Sequence, residues 1–293
     1  MGDNEVRALI LGGAGMLGHH VFRHFQKSHE TGVTLRKPLA YYNQYRLFSS
    51  ENVFEKVDVR QFQQVEAVID AFRPDAVINC VGITNKGEVA SDVILNIEVN
   101  ALFPQRLARF CAAKKIRMIH LSTDCVFSGR KGGYFEDDTA DAIDLYGRTK
   151  LLGEVDNNYC LTIRTSMIGL GLDNNKGLLE WFLGQKDVVH GYQNAIFSGF
   201  TTHELSRIIE KILLADKETS GLMHVSSEAI SKYDLLTMIK KELKMEINII
   251  PDVDFKCDRS LDSTVFQKKF GYTPPSWEAM IKELCEQIKR ERP

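Results

Sequence analysis

In the first half of the chain, apolar residues fall into short continuous runs. Between the runs lie segments where they recur every three or four positions. Residues 6–11, 33–35, 53–59, 76–81, 117–121 and 159–163 read as buried strands, and residues 16–26, 65–72, 97–113 and 146–155 as helices with one apolar face. Regular alternation of strand and helix predicts a parallel sheet, because parallel neighbours need a crossover and a helix supplies it. The expected class is therefore α/β, with a doubly wound parallel sheet.

After about residue 170 the rhythm changes. A helix centred on Trp181, short strands at 188–190 and 196–198, and helices over 203–215, 233–243 and 277–289 predict a smaller C-terminal α/β substrate lobe. The chain then divides into a dinucleotide-binding domain over 1–170 and a lobe over 171–293, with a soft boundary and chain crossings between them. No internal repeat and no Ser/Gly-rich linker interrupts it.

Length and composition narrow the function classes. At 293 residues the chain can bury a large core without disulfides. Its 37 Lys and Arg against 39 Asp and Glu, a formal net charge of −2, exclude the basic excess of a protein that lives on nucleic acid. No apolar run approaches a membrane span, and the N-terminus lacks a secretory apolar region. Gly2 is followed by Val6 where a myristoylation start wants Ser or Thr. The six cysteines lie far apart without Cys-x-x-Cys or zinc spacing, which points to free thiols in a reducing cytoplasm and to no metal site.

The first strand runs straight into Gly12-Gly-Ala-Gly15-Met-Leu-Gly18 and then a helix. Glycines at 12, 15 and 18 serve a tight turn, a close backbone approach to a diphosphate, and close helix–strand packing. The helix N-terminus would face the anion. Gly12, Gly15, Met16, Leu17 and Gly18 are the expected contacts, and the sheet becomes Rossmann-type. At the end of the second strand Arg36 stands where an acidic residue would accept from a ribose hydroxyl, so a 2′-phosphate and NADPH are expected, with NAD the alternative.

Tyr146 and Lys150 are four apart and share one helix face. A nearby ammonium favours the phenolate, so the phenol is expected to move down from about 10 toward the range of proton transfer. Upstream, the strand 117–121 ends in Ser122-Thr123-Asp124, and a hydroxyl at that edge, Ser122 or Thr123, would face the ligand crevice. Isolated histidines and the runs at 240–242 and 289–292 read as satisfied or solvated side chains. Trp181 and Trp277 read as core anchors, and Cys125 as a small buried side chain rather than a reactive thiol.

Together these residues resemble an extended short-chain dehydrogenase/reductase. The match rests on Gly12-x-x-Gly15-x-x-Gly18, Asp58-Val59, Asn79-Cys80-Val81-Gly82, Asn100, the 122–129 segment and Tyr146-x-x-x-Lys150. More narrowly, 121–129, 133–138, 146–154 and 163–166 resemble dTDP-4-dehydrorhamnose reductases and related sugar-nucleotide reductases, and 258–263 with 270–277 resembles that family's substrate-side pattern. The resemblance implies a catalytic triad of Thr123, Tyr146 and Lys150, with Tyr146 the proton donor, Thr123 holding the C4 carbonyl and Lys150 binding the nicotinamide ribose, so that Tyr146 and Lys150 are also cofactor contacts. It also implies that Asp58 and Val59 flank the adenine, that Cys80, Val81 and Gly82 line the cofactor's middle, and that Asn100 joins that surface.

The implied activity is NADPH-dependent reduction of the C4 ketone of a nucleotide-linked 4-keto-6-deoxysugar, in deoxysugar or surface-polysaccharide biosynthesis. The partners are a nucleotide-sugar substrate and a second copy of the chain, packed through the helices around Asn100 and Tyr146. Three features depart from the rhamnose enzymes: Cys125 replaces an aromatic residue, Met167 replaces Trp, and 192–202 replaces a proline-containing stretch. They leave room for a UDP-linked 4-keto N-acetylaminosugar reductase or a sugar-nucleotide epimerase. A non-enzymatic subunit like the β subunit of methionine adenosyltransferase is the alternative from another class.

Overall fold

The computed structural model describes residues 5–172, 177–215 and 218–291. Its strands are β1 (Arg7–Leu11), β2 (Glu30–Thr34), β3 (Val53–Phe54), β4 (Ala76–Asn79), β5 (Arg117–Leu121), β6 (Cys160–Arg164), β7 (Met167–Ile168), β8 (Val188–Phe197), β9 (Phe200–Thr201), β10 (Gly221–His224), β11 (Ile230–Ser231) and β12 (Asn248–Asp258). Seven of them form one sheet in the order β10-β6-β5-β4-β1-β2-β3. Every pairing in it is parallel.

The chain first winds outward from β1 to β3, then returns to β4 and winds the other way. The reversal lies between β1 and β4, and it opens a crevice at the C-terminal ends of those strands. Successive residues of β1 point to opposite faces. Ala8 and Ile10 pack with the helices Met16–Phe25 and Thr202–Ala215; Leu9 and Leu11 pack with Phe62–Phe72 and Phe103–Ala113. Buried apolar area of this order on both faces is the main source of stability.

The layers do not part at residue 170. β10, from beyond that point, completes the large sheet beside β6, and the helix Thr202–Ala215 covers one of its faces. Beside the large sheet, and sharing its core on one face, lie a three-stranded sheet, β11-β8-β12, packed under the helix Lys232–Leu243, and a two-stranded pair, β7-β9.

Several boundaries differ from the sequence expectation. The run 53–59 pairs only over Val53–Phe54 before the chain turns away, and the two short strands at 188–190 and 196–198 are one ten-residue strand. β10 and β12 carry no clear signal. In β12 only Ile249 is buried, so the strand is held by its parallel register with β8 rather than by an apolar face. Trp277 is a core residue, with its indole N–H donating to the Glu228 carbonyl at 2.8 Å, but Trp181 is 43% exposed and anchors nothing.

Candidate active site

The glycine turn closes against the loop after β4. Gly12 has φ +84°, a left-handed conformation that a side chain resists, and a Cβ there would meet Val81 and Cys80. At Gly18 a Cβ would press into the Gly12 carbonyl oxygen, and at Gly15 it would lie 3.2 Å from that same oxygen. Gly12, Gly15, Gly18, Cys80 and Val81 therefore form one surface. The helix Met16–Phe25 starts at Gly15 with no side chain capping it, so its first backbone N–H groups are open to an anion. Leu17 is buried in the core, and the Met16 side chain lies against Gly177 beside Glu180. The bare N-terminus and the glycine-lined approach fit a dinucleotide diphosphate.

Arg36 is exposed just beyond β2. It acts electrostatically on Asp58, whose carboxylate is held by Arg60 through contacts of 2.5 and 3.0 Å; that pairing keeps the carboxyl below its ordinary value. The Asp58 backbone N–H donates to Gln64, and Val59 is half-buried next to it.

Asn100 lies in a short π-helical stretch, Ile97–Leu102, between the helices Val93–Asn96 and Phe103–Ala113. Its amide pairs with both backbone groups of Ile83, at 2.8 and 2.9 Å, and also donates to Asn96 and Thr149. That clamp fixes the loop carrying exposed Gly82. The Asn100 side chain is thus engaged with protein groups.

At the end of β5 the two candidate hydroxyls separate. Ser122 donates to Glu154 at 2.7 Å, and Glu154 is bound by Arg164 through two 2.8 Å contacts. Ser122 therefore belongs to a buried polar network, whereas Thr123 accepts from the Cys125 backbone N–H at 3.1 Å and acts on the neighbouring Tyr146 phenol. Lys150, buried one turn further along the helix Leu145–Leu152, donates to the Leu121 carbonyl at 2.6 Å. Asp144 caps that helix by accepting from Gly147 N–H. Gly147 is needed because a Cβ there would strike the Cys125 carbonyl.

Burial governs the titration of these groups. Lys150 is lowered to about 8, chiefly by desolvation, with Glu154 and Cys80 opposing. Tyr146 is raised, not lowered as the sequence suggested. Desolvation and the surrounding Cys125, Asp124 and Asp144 act upward, while the Lys150 ammonium is directed at the Leu121 carbonyl. The phenol therefore holds its proton. Burial also pushes the Cys125 thiol up to about 12, so it is a protonated, unreactive side chain.

Three neighbours were given no role by the sequence, although Arg259 and Asp124 lie in the family-like segments 258–263 and 121–129. Arg259, just after β12, donates to the Phe127 carbonyl at 2.8 Å and to Cys125 Sγ at 3.6 Å. His120, in β5, is buried with Nδ1 3.1 Å from the Asn79 amide. Asp124 is a buried carboxyl beside Thr123. The contacts of Arg259 and His120 become visible only when residues distant in the chain converge.

Comparison with known proteins adds a family to this geometry. The profile of the RmlD substrate binding domain matches residues 6–290. The dTDP-4-dehydrorhamnose reductase of Aggregatibacter actinomycetemcomitans is 26% identical over 304 residues, covering 95% of this chain and 98% of that one. Methionine adenosyltransferase 2 subunit beta of Rattus norvegicus is 31% identical over 150 residues, but these are only 50% of this chain and 41% of that one. Among solved structures, the dTDP-4-dehydrorhamnose reductase of Bacillus anthracis in complex with NADP superposes with a TM-score of 0.79 at 19% identity. The match covers 97% of this chain and 99% of that one, and it establishes a shared fold.

Proposed function

The chain belongs to the RmlD substrate binding domain family, and from that premise we propose that it is an NADPH-dependent reductase of the C4 ketone of a nucleotide-linked 4-keto-6-deoxysugar. The observation that carries this reading is the convergence of Thr123, Tyr146 and Lys150 at the end of β5, on the same edge of the sheet as the glycine turn. The relatives named dTDP-4-dehydrorhamnose reductase support the substrate class.

Gly12, Gly15, Met16, Leu17 and Gly18 would hold the cofactor diphosphate, and Cys80, Val81 and Gly82 its middle. Arg36 would pair with the 2′-phosphate, a role supported by its exposure and by the engagement of Asp58 with Arg60. When bound, reduced nicotinamide would supply a hydride with its electron pair to the ketone carbon, and Tyr146 would give the carbonyl oxygen, which takes up the π pair, its proton. Thr123 donates a hydrogen bond to the same oxygen and stabilises the developing charge. Lys150 lies beneath, oriented by the Leu121 carbonyl, and Asn100 acts through the 82–83 loop it clamps.

The finer assignments follow from the same reading. A homodimer through the segments around Asn100 and Tyr146 is supported by exposed Val93, Ile94, Ile97, Leu102 and Leu152. Sedimentation should show a dimer that Ile94→Glu weakens. Among the described residues no helix is long and apolar enough to cross a membrane, in keeping with a cytoplasmic enzyme acting on nucleotide sugars.

The test is NADPH oxidation across dTDP-, UDP- and GDP-linked 4-keto-6-deoxysugars, with Tyr146→Phe as control. Net, Tyr146-dependent consumption with one nucleotide class is expected. Conversion without net consumption would identify an epimerase. Silence across the panel with NADPH bound, together with co-purification of a larger catalytic partner, would favour the regulatory-subunit alternative.

A further inference from the structure

Arg259 brings a positive charge to the edge of the catalytic floor without a partner to match it. The side chain is half-buried; its Nε donates to the Phe127 carbonyl at 2.8 Å, and its Nη1 reaches only Cys125 Sγ, a weak acceptor, at 3.6 Å. Among the described residues Nη2 meets no acceptor, and no carboxylate pairs with the guanidinium. The acids around it are committed elsewhere. Asp124 accepts from the Thr123 hydroxyl, Asp144 caps the helix Leu145–Leu152, and Asp258 accepts from the Ser260 N–H and hydroxyl. Arg164, in the polar network of Ser122, shows the contrast: Glu154 closes it through two 2.8 Å contacts. A cation half withdrawn from water and left unpaired has lost solvation that an anion from outside can replace.

The backbone holds Arg259 in place. Asp258 N–H donates to the Gly129 carbonyl at 2.8 Å, Gly133 N–H to the Ser260 hydroxyl at 2.8 Å, and Tyr134 N–H to the Ser260 carbonyl at 2.9 Å. The end of β12 is thus fastened to the loop 127–134 on both sides of Arg259. Gly129, at φ +84°, leaves room for the stem, since a Cβ there would lie 3.1 Å from Arg259 Cγ.

A single residue relates this charge to the reacting ketone. Cys125 donates its backbone N–H to Thr123 Oγ1 at 3.1 Å and receives Arg259 Nη1 on its Sγ at 3.6 Å. With ordinary bond lengths between those two cysteine atoms, the hydroxyl and the guanidinium are at most about 11 Å apart. A pyranose ring with its C4 oxygen on Thr123 carries its C1 and C6 substituents within that span.

We propose that Arg259 is a specificity-determining residue that binds an oxyanion of the substrate, either the sugar-proximal phosphate or a carboxylate on the sugar, and so sets which ketone meets Thr123 and Tyr146. The proposal rests on the reductase reading above. Nη1 and Nη2 present parallel donors to two oxygens of such a group. Anchored there, the ring has one way to lie with its ketone on Thr123, and binding energy gained away from the reacting carbon orients it.

The test uses NADPH-saturated protein, so that added nucleotides cannot occupy the cofactor site. Calorimetric titrations with dTDP, UDP and GDP, and with the matching monophosphates, compare wild type with two variants. Arg259→Met keeps the apolar stem and drops the charge; Arg259→Lys keeps the charge and drops the fork. For the base that binds, Arg259→Met should weaken the diphosphate at least roughly tenfold and the monophosphate less than about twofold, with Arg259→Lys between them. NADPH affinity unchanged in both variants is the expected sign of an intact fold.

A second arm separates the two sources of the oxyanion: reduction of a 4-keto-6-deoxysugar and of a 4-keto hexuronic acid on the same nucleotide. Diphosphate titrations indifferent to Arg259→Met, with KM raised at least roughly tenfold for the uronic substrate alone, would assign the carboxylate. Equal values for wild type and Arg259→Met in both arms overturn the proposal, as does a monophosphate weakened as much as the diphosphate. A wild type that binds no nucleoside diphosphate and reduces no uronic substrate overturns it too. If diphosphate binding depends on Arg259 but no keto sugar is turned over, the reductase reading fails by itself.

Discussion

The two ends of the crevice are made differently. The glycine turn is backbone: the amides of Gly12, Gly13 and Gly15 are tied to Thr34 and Gly12, no side chain caps the helix that follows, and its close contacts are between main-chain atoms of Gly12, Gly15 and Gly18. The floor at Thr123, Tyr146 and Lys150 is made of buried side chains whose protonation is set by desolvation. A backbone site tolerates pH and fails by shape, whereas a buried side-chain site tolerates small changes of shape and fails by charge.

The largest test of this contrast is Tyr146→Phe. It removes a proton and leaves the shape, so kcat should fall by roughly 10²- to 10⁴-fold, with NADPH affinity unchanged in a fluorescence titration. Loss of binding instead would mean that the floor also holds the cofactor. Gly18→Val is the converse, pressing side-chain carbon into the Gly12 carbonyl. NADPH affinity should weaken by roughly 10- to 100-fold at every pH.

Arg36→Ala is the case between them, a charge added to a backbone site. The KM for NADPH should rise about tenfold while that for NADH stays constant, as for the loss of one charge-assisted contact. An unchanged NADPH KM would remove Arg36 from the site.

The pH dependence should follow the floor alone. Lys150, depressed to about 8 by burial, is charged below that pH and loses its proton above it. kcat/KM should therefore decline as pH rises through about 8.

The smallest effect is on stability. His19 is buried on the helix that starts at the glycine turn and is lowered from 6.5 to about 4, mainly by desolvation. The unfolded chain takes up a proton near 6.5 and the folded chain only near 4. Stability is thus complete above about 6.5 and is lost as pH falls toward about 4. Thermal unfolding of His19→Gln should be flatter across that window.

Much of this was legible in the sequence, wherever the causes are local. The alternation of runs predicted β1, β4, β5 and β6 to within about two residues, the usual uncertainty of element ends. Gly12–Gly18 is a contiguous turn, and Tyr146 with Lys150 is one helical turn. By contrast, β12 is held by register with β8, so its eleven mostly exposed residues gave no period to read. By position at the strand end Ser122 and Thr123 were equivalent, and it is Glu154, 32 positions on from Ser122, that engages Ser122 in the folded chain.

The sequence by itself determined the α/β class, the glycine turn, the Tyr146/Lys150 pair and the family resemblance, because spacing along a helix or a turn fixes those neighbours directly. Only the tertiary structure decided that the phenol keeps its proton, that Asn100 clamps a loop, that Asp124 is buried against Thr123, and that Arg259 crosses more than a hundred residues to reach Phe127. These depend on which atoms lose water and which distant groups replace it. Desolvation and long-range pairing belong to the packed molecule and leave no period in the chain.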